Sequence, residues 1–484
     1  MLTNIFQNPI SKKIIKKAIK QQKKYIAQFG DDKNTTYHLG LVDNPVVTPT
    51  LGIKILTSAQ VPLAPLPEKS VIIGNIRMGF GHYRISMAMA SAAQSMGYTP
   101  IWLDLNSFPS TTGTKIISHL NDLYSLGSRL SQKFSLFNTL YWEPLNKEGF
   151  RKLSYNAGDQ IVAELMTPIL SEINKNTPYI ATHAWPSQAA IHGGFTKVVN
   201  AIPDNWPMAL HLSEGALHSV QTPSSYFGYK NLVGMDGEKI LHPMGEKDII
   251  YSGHYIDHEI VDNIEEDCKK RINRITSKQP LRFLFTVGGA GAQGAYFIQM
   301  IKSLLPYVQK KQLCLYINFG DHKNVLDALC KELPQINNDG KKHYNNWTNT
   351  QDFCQKAIQG DDNESGSGIH LFYHEDIFAA VYSTNLLMRA SDVLITKPSE
   401  LAFYPIPKLH IKRVGGHEMW GAVHSAEIGD GTPECSEVER AIFTATQMIE
   451  HPFLIQDMCK HILENKEKHI YDGAYVAVKA AIEG

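Results

Sequence analysis

The sequence predicts an α/β protein built of two doubly wound parallel-sheet domains facing across a cleft, preceded by a basic helical extension. Three observations predict it. Short apolar runs alternate with helix-compatible segments along most of the chain, the pattern of parallel strands joined by crossover helices. In each half of the chain, one such run ends in a glycine-rich turn that opens directly into a helix: Val71-Ile72-Ile73-Gly74-Asn75 before Gly79-Phe80-Gly81, and Arg282-Phe283-Leu284-Phe285-Thr286-Val287 before Gly288-Gly289-Ala290-Gly291-Ala292-Gln293-Gly294. At 484 residues the chain is also too long for one ordinary domain.

Composition narrows the class. Hydrophobic residues make up 43% and charged residues 19%, enough apolar mass for sizeable cores in a globular protein. Lys+Arg and Asp+Glu both total 47, so no overall field favours nucleic acid or acidic partners. The six cysteines (268, 314, 330, 354, 435, 459) lie in the C-terminal half without a CxxC pair. That pattern points to reduced thiols in a cytoplasm-like compartment, and away from a disulfide framework or a zinc site. No uncharged apolar run is long enough to span a bilayer, and the N-terminus lacks the apolar core of a secretory signal.

Taken in order, residues 1–66 read as an N-terminal extension. Residues 1–30 carry seven lysines (12, 13, 16, 17, 20, 23, 24) and no acidic residue, with Ile15, Ile19, Gln22 and Ile26 near one helical stripe. Such a helix either packs on the body with its lysines in solvent or lies on an anionic membrane surface. Residues 31–66, with prolines at 45, 49, 62 and 65, read as an irregular cover.

The first α/β domain is expected over 67–257. Its elements are a strand from Ser70, a small-residue helix from Ser86 to Met96, and a strand at Ile101–Leu105. Helical patterning from about 114 to 172 follows, then a strand at Tyr179–Thr182, a helix from Ser187, and a strand at Met208–Leu212. The second is expected over 258–450. After the strand at 282–287 come a helix from Tyr296 to Leu305 and a strand at Leu313–Asn318. A polar loop insertion at 337–368 precedes a strand at Ile369–Tyr373, a helix around Phe378–Ala390, and strands at Val393–Thr396 and Lys408–Lys412. Residues 451–484 read as a helical tail.

Four local motifs sit where strands end. They are Gly79-Phe80-Gly81-His82-Tyr83-Arg84-Ile85-Ser86, the loop Gly288 to Gly294, Ala390-Ser391-Asp392-Val393-Leu394-Ile395-Thr396-Lys397-Pro398-Ser399-Glu400, and Gly415-Gly416-His417-Glu418-Met419-Trp420. In the glycine loop, backbone N–H groups at a helix N-terminus suit a phosphate, and a Cβ would hold the phosphate away. His82 is an imidazole in a turn before a helix, a residue type suited to taking a proton near neutrality; a turn-capping histidine is the alternative. A glutamate such as Glu400 accepts from two hydroxyls or caps a helix.

Together these motifs resemble the GT-B glycosyltransferases, two Rossmann-like domains across a cleft, over roughly residues 70–440. Within them the chain is similar to the branch holding the peptidoglycan N-acetylglucosaminyltransferase MurG and the monogalactosyldiacylglycerol synthases. The resemblance implies inverting, metal-independent transfer of a hexose-type sugar from a nucleoside-diphosphate donor, in the first place a UDP-sugar, to an acceptor hydroxyl. It implies no cofactor beyond that substrate, a lipid or glycan acceptor, and no nucleic acid. By it, His82 acts as base, with Glu214 and His218 of His211-Leu212-Ser213-Glu214-Gly215-Ala216-Leu217-His218 as runner-up bases. Gly81, Gly288, Gly289, Ala290, Gly291, Ala292 and Lys397 face the donor, Glu400 its ribose, and His417 and Glu418 its sugar. The turn before Glu400 is shorter than the family's, and the His417-Glu418 pair replaces its glutamine-rich one. A cytoplasmic location, with peripheral contact at a membrane through the lysine-rich helix, follows from the same reading.

Other functions compete. A UDP-sugar epimerase of the same fold needs the donor site and no acceptor, and a non-catalytic nucleotide-sugar-binding protein needs neither base nor acceptor. A dehydrogenase using Gly289-x-Gly291-x-x-Gly294 would place its ribose carboxylate at Asp321. That lies 27 residues beyond Gly294, longer than the usual interval of about 20.

Overall fold

The structure, a computed structural model, describes residues 3–133, 152–206, 211–235, 237, 239–287, 293–360 and 368–484. The first half contains β1 (Asn4–Ile5), β2 (Asn8–Pro9), α1 (Lys12–Phe29), β3 (Leu39–Asp43), β4 (Lys54–Ser58), β5 (Ser70–Asn75), α2 (Gly81–Ser95) and β6 (Thr99–Asp104). It continues with α3 (Thr112–Lys133), α4 (Leu153–Ala163), β7 (Tyr179–Ala181), α5 (Ala184–His192), β8 (Val198–Ala201), β9 (Leu217–Val220), α6 (Pro223–Lys230) and β10 (Ile249–Tyr251). The second half runs through α7 (Ile264–Thr276), β11 (Leu281–Thr286), α8 (Gly294–Gln309), β12 (Leu313–Asn318), α9 (Lys323–Glu332), β13 (Lys341–Tyr344) and α10 (Trp347–Gln359). Then come β14 (Gly368–Tyr373), α11 (Ile377–Ala390), β15 (Val393–Thr396), β16 (Lys408–His410), α12 (Met419–Glu427), α13 (Val438–Glu450), α14 (Phe453–Glu467) and α15 (Gly473–Glu483).

Two sheets organise these elements, as the sequence predicts. One has eight strands in the order β10-β9-β8-β7-β5-β6-β4-β3, and the other six in the order β13-β14-β12-β11-β15-β16. All pairings within them are parallel except β3 with β4. Parallel strands covered on both faces read as continuous apolar runs, and β5 shows why. Val71 and Ile73 enter one core, with Trp102 and α2. Ile72 enters the other, with Ile101, Leu103 and Tyr179. The same alternation in β11 sends Phe283 and Phe285 to one side and Leu284 to the other. The core that takes Leu284 also takes Val71, so a single apolar cluster runs through both halves behind the cleft.

In each sheet the strand that leads into the glycine-rich segment, β5 or β11, is central. The chain leaves β5 towards β6 on one side and returns at β7 on the other; β11 is flanked by β12 and β15 in the same way. The carboxyl ends of β5 and β11 are therefore topological switch points, where open α/β sheets bind ligands. The turn that carries Gly79 and Gly81 follows the first of them.

Several expectations need correction. Residues 31–66 are not irregular: β3 and β4 form an antiparallel pair, and Lys54 and Ile55 of β4 continue the main sheet against Ile101 and Trp102. The prolines bracket these strands, which hid them. Residues 337–368 are not a loop insertion either. β13 pairs with β14 and α10 packs on α11, burying Thr350, Phe353 and Cys354. The segment looks polar because it forms the sheet's edge, where one side faces water. Of the strand expected at Met208–Leu212, residues 207–210 lie outside the described residues and His211–Ser213 are not extended. The unforeseen strands β8, β9 and β10 are only three or four residues each.

The basic N-terminus forms α1, capped by the Ser11 hydroxyl accepting from the Ile14 N–H. Its apolar face packs on α4, with Ala18 and Tyr25 buried and Gln22 donating to the Ile161 carbonyl. All seven lysines are exposed. At the other end, α15 returns to the first half and packs on α2, β7 and β8. The His254 N–H donates to the Ile470 carbonyl and the Gly473 N–H to the His254 carbonyl.

Burial makes this fold acid-sensitive. It pushes His218, His343 and His374 down to about 4 and His410 to about 3, and holds His183 and His254 well below the usual range. It also raises Asp159 to about 7 and Asp257 above the carboxylate range. Below pH 6.5 the unfolded chain takes up protons at these histidines that the folded chain resists. The folded chain holds protons at the two acids that the unfolded chain loses, which opposes this in part. More protons bound by the unfolded state means stability rises with pH and is lost on acidification, by about 1.4 kcal/mol per pH unit for each unmatched proton. The expected result is a marked drop in melting temperature from pH 7 to pH 5 by calorimetry; a flat or rising profile would contradict the burial of these rings.

Candidate active site between the two sheets

The first turn of α2 meets the turn after β15 across the cleft. At Gly81, a Cβ would lie 3.1 Å from Glu400 Oε2, so glycine lets the carboxylate approach the start of the helix. Three residues on, Arg84 is fully enclosed. Its guanidinium donates to Asn385 Oδ1 at 2.9 Å and to Thr384 Oγ1 at 3.3 Å, both on α11, and its Nε lies 3.6 Å from Glu400 Oε1. A side chain of the first half is thus anchored in the second. A small pocket, open to solvent, lies between the two switch points, lined by Arg84 together with Thr286, Asn318, Thr384, Lys397 and Glu400. Thr286 Oγ1, at the end of β11, is buried with no hydrogen-bond partner among the described residues. Phe80 closes another edge against Gly320, where φ is +57° and a Cβ would sit 2.6 Å from the ring. Beside it, Arg77 pairs with Asp321 at 2.5 Å across the cleft.

His82 follows Gly81. Its Nδ1 lies 2.6 Å from the Thr182 carbonyl, which only accepts, so Nδ1 carries the proton and Nε2 of the neutral ring holds the lone pair. Burial, reinforced by His211, lowers its basicity, and the Thr182 carbonyl, Asp204 and Glu400 recover part of that loss. His183, whose ring stands edge-on to His82 at 5.0 Å, accepts the Trp185 N–H at its own Nδ1 and caps α5. Its Nε2 is therefore the donor in the neutral ring. One acceptor and one donor stand side by side at the carboxyl end of β7.

The other predicted residues fall in three groups. Glu400 and Lys397 line the pocket. Glu418 takes Lys397 as an ion-pair partner and accepts the Val414 N–H at 2.7 Å, so it ties the 414–418 turn to the end of β15. Burial pushes its carboxyl up, but Lys397, His417 and the Val414 N–H outweigh burial and hold it below the usual range. His417 stands at the cleft, its Nε2 3.9 Å from Asp204 Oδ1 of the first half. The phosphate-loop residues Gly288, Gly289, Ala290, Gly291 and Ala292 lie outside the described residues; Gln293, which follows them, donates to the Lys412 carbonyl.

The runner-up bases are corrected. His218 is fully buried in β9, its Nδ1 donating to the Asp248 carbonyl at 2.9 Å and its Nε2 accepting the Ser213 N–H at 3.0 Å, which leaves no nitrogen for a substrate. Glu214 accepts the Phe6 N–H at 2.6 Å, holding the turn between β1 and β2. Both residues serve the docking of the N-terminal segment.

Sequence reasoning passed over Asp204, His211 and Arg84. Asp204 Oδ2 accepts from His211 Nε2 at 3.0 Å, and the next residues reach the second half: Asn205 donates to the Trp420 carbonyl at 3.1 Å, and Trp206 stacks on Trp420 at 4.8 Å. The signal available was the strand Val198–Ala201, which places Asp204 just beyond a carboxyl end.

Comparison with known proteins follows this division. Residues 4–231 match the family model described as a domain of unknown function (DUF6937), and residues 244–482 match the one described as a domain of unknown function (DUF6938). The second match begins ahead of β10, the last strand of the first sheet. No curated protein matches the sequence. Among solved structures, the UDP-GlcNAc 2-epimerase from Neisseria meningitidis bound to UDP-GlcNAc is similar at 15% identity and TM-score 0.45, over 86% of this chain and 98% of that one. The α,α-trehalose 6-phosphate synthase from Burkholderia multivorans is similar at 9% identity and TM-score 0.44, over 86% and 98%. The UDP-GlcNAc 2-epimerase from Methanocaldococcus jannaschii, in complex with UDP-GlcNAc and UDP, is similar at 12% and 0.38, over 78% and 92%. Placement in the MurG and monogalactosyldiacylglycerol synthase branch rests on the motifs alone. Among the described residues, no helix is long and apolar enough to cross a membrane.

Proposed function

We propose that the chain is a nucleotide-sugar enzyme that binds a UDP-sugar between its halves and transfers the hexose, with inversion and without a metal, to an acceptor hydroxyl. The observation that carries this reading is the meeting at Gly81, where Glu400 from the second half comes against the turn that presents His82 from the first. The donor's ribose is assigned to Glu400, its diphosphate to the glycine loop after β11, and its hexose to the region of His417. His82 Nε2 takes the acceptor's proton. Lys397 and Glu418, paired with each other, hold the loop against the donor. The acceptor is a lipid or a glycan. The exposed lysines of α1, on a helix whose apolar face is already used, suit electrostatic contact with an anionic membrane surface.

A second reading, epimerisation of the UDP-sugar, is favoured by one observation. Asn205 and Trp206 already join Trp420 on the His82 side, where a transferase admits its acceptor. Thermal unfolding with UDP, GDP or NAD tests the common core of both. At a hundred times the dissociation constant, linkage gives about 2.7 kcal/mol of stabilisation. A shift with UDP alone is expected; no shift with any of the three overturns the donor site. Incubating UDP-glucose and UDP-N-acetylglucosamine without acceptor then separates the readings, because only an epimerase returns an isomer.

A further inference from the structure

Asp204 stands where three imidazoles converge. One carboxylate oxygen accepts from His211 Nε2 at 3.0 Å within its own half, and the other lies 3.9 Å from Nε2 of His417, from the opposite half. His211 is almost fully buried, and its Nδ1 has no partner among the described residues. The bond to Asp204 is therefore the one polar tie at that ring. His211 in turn stands edge-on to His183 at 6.0 Å, and His183 to His82 at 5.0 Å. The loop is positioned by its neighbours: Asn205 bonds both Trp420 and Thr222, and Trp206 stacks on Trp420.

We propose that Asp204 is a positioning residue of the site: its two oxygens address one imidazole from each half, and through His211 and His183 it fixes the array in which His82 stands. This rests on the reading of His82 as the base. Burial raises the Asp204 carboxyl, but His417, His211 and His82 outweigh burial and keep it ionised throughout the working range. The charged and titratable groups facing His82 are His211, His183, Asp204 and Glu400. Asp204 and Glu400 favour its protonated form and the imidazoles oppose it. Only Asp204 among them also lies within ion-pair distance of a ring of the other half.

Asp204→Asn keeps the shape and removes the charge. In full-length protein labelled with ¹³C at histidine, the His82 titration midpoint is expected to move to lower pH, and the His417 resonance to move as its partner is lost. Asp204→Glu is expected to restore both towards wild type, with all three proteins folded at the temperature of the titration. A His82 midpoint and a His417 resonance that do not move in Asp204→Asn overturn the proposal. UDP affinity is measured in the same samples. Wild-type protein that fails to bind UDP counts against the proposed function, while the histidine titrations still decide the role of Asp204.

Discussion

Replacing His82 with alanine is expected to lower turnover of the UDP-sugar by about 10²- to 10⁴-fold, the usual contribution of a positioned general base, while UDP affinity stays close to wild type. The ring's Nδ1–H is committed to the Thr182 carbonyl at 2.6 Å, which fixes both its orientation and the nitrogen that can take a proton. The loss should therefore appear in kcat and kcat/KM together, the sign of an interaction made in the transition state. In the wild type, activity should fall on the acid side, in a limb below the ordinary histidine range of about 6.5, because burial and His211 hold His82 down. Stopped-assay kinetics across pH 4–9 and UDP calorimetry make the test. Full turnover in the alanine variant would remove His82 from the chemistry and leave His183, the adjacent cleft imidazole, as the group to examine.

The largest effect on stability is expected at Asp430→Ala. Lys408 and Asp430 are both fully buried and pair at 2.7 Å. The ammonium also donates to the Tyr404 carbonyl at 2.6 Å and the Ile406 carbonyl at 3.2 Å, so all three of its donors are used. The carboxylate accepts the Ser425 hydroxyl at 2.6 Å and the Tyr471 hydroxyl at 2.9 Å. Removing one partner of such a pair leaves an uncompensated buried charge and costs about 3–5 kcal/mol. Chemical denaturation should show that loss for Asp430→Ala. The double variant Lys408→Met with Asp430→Leu should recover most of it, since the cost lies in the stranded charge. A loss under 1 kcal/mol in the single variant would mean that water reaches Lys408.

Tyr471 ties this pair to the end of the chain, and the segment that holds it, between α14 and α15, is also hydrogen-bonded to His254 near the junction of the halves. The C-terminal helical region is therefore part of the wall behind the cleft. Its helices were legible from periodicity; its destination was not, because nothing in the pattern of α15 says that its apolar face fits α2.

The same contrast runs through the site. His82, Lys397, Glu400 and His417 were found because each follows a strand-like apolar run that ends in a small-residue turn, and that local grammar needs no partner to be recognised. Glu214 and His218 came from a looser match as runner-up bases, and their oxygen and nitrogen atoms are consumed by Phe6, Asp248 and Ser213, contacts between segments far apart in the chain or across a turn. Arg84 read as an imperfect glycine fingerprint; in the fold it is the strut between α2 and α11.

By itself, the sequence determined the class of the protein: two parallel α/β sheets, each opened by a strand that leads into a glycine turn, and a basic helix ahead of them. Those features follow from short-range causes, namely the period of apolar residues and the conformational freedom of glycine. Only the tertiary structure decided which polar groups share the cleft. Asp204 and His417 stand more than 200 residues apart in the chain, and a carboxylate's choice of imidazole is set by where two sheets come to face each other, which no local pattern records.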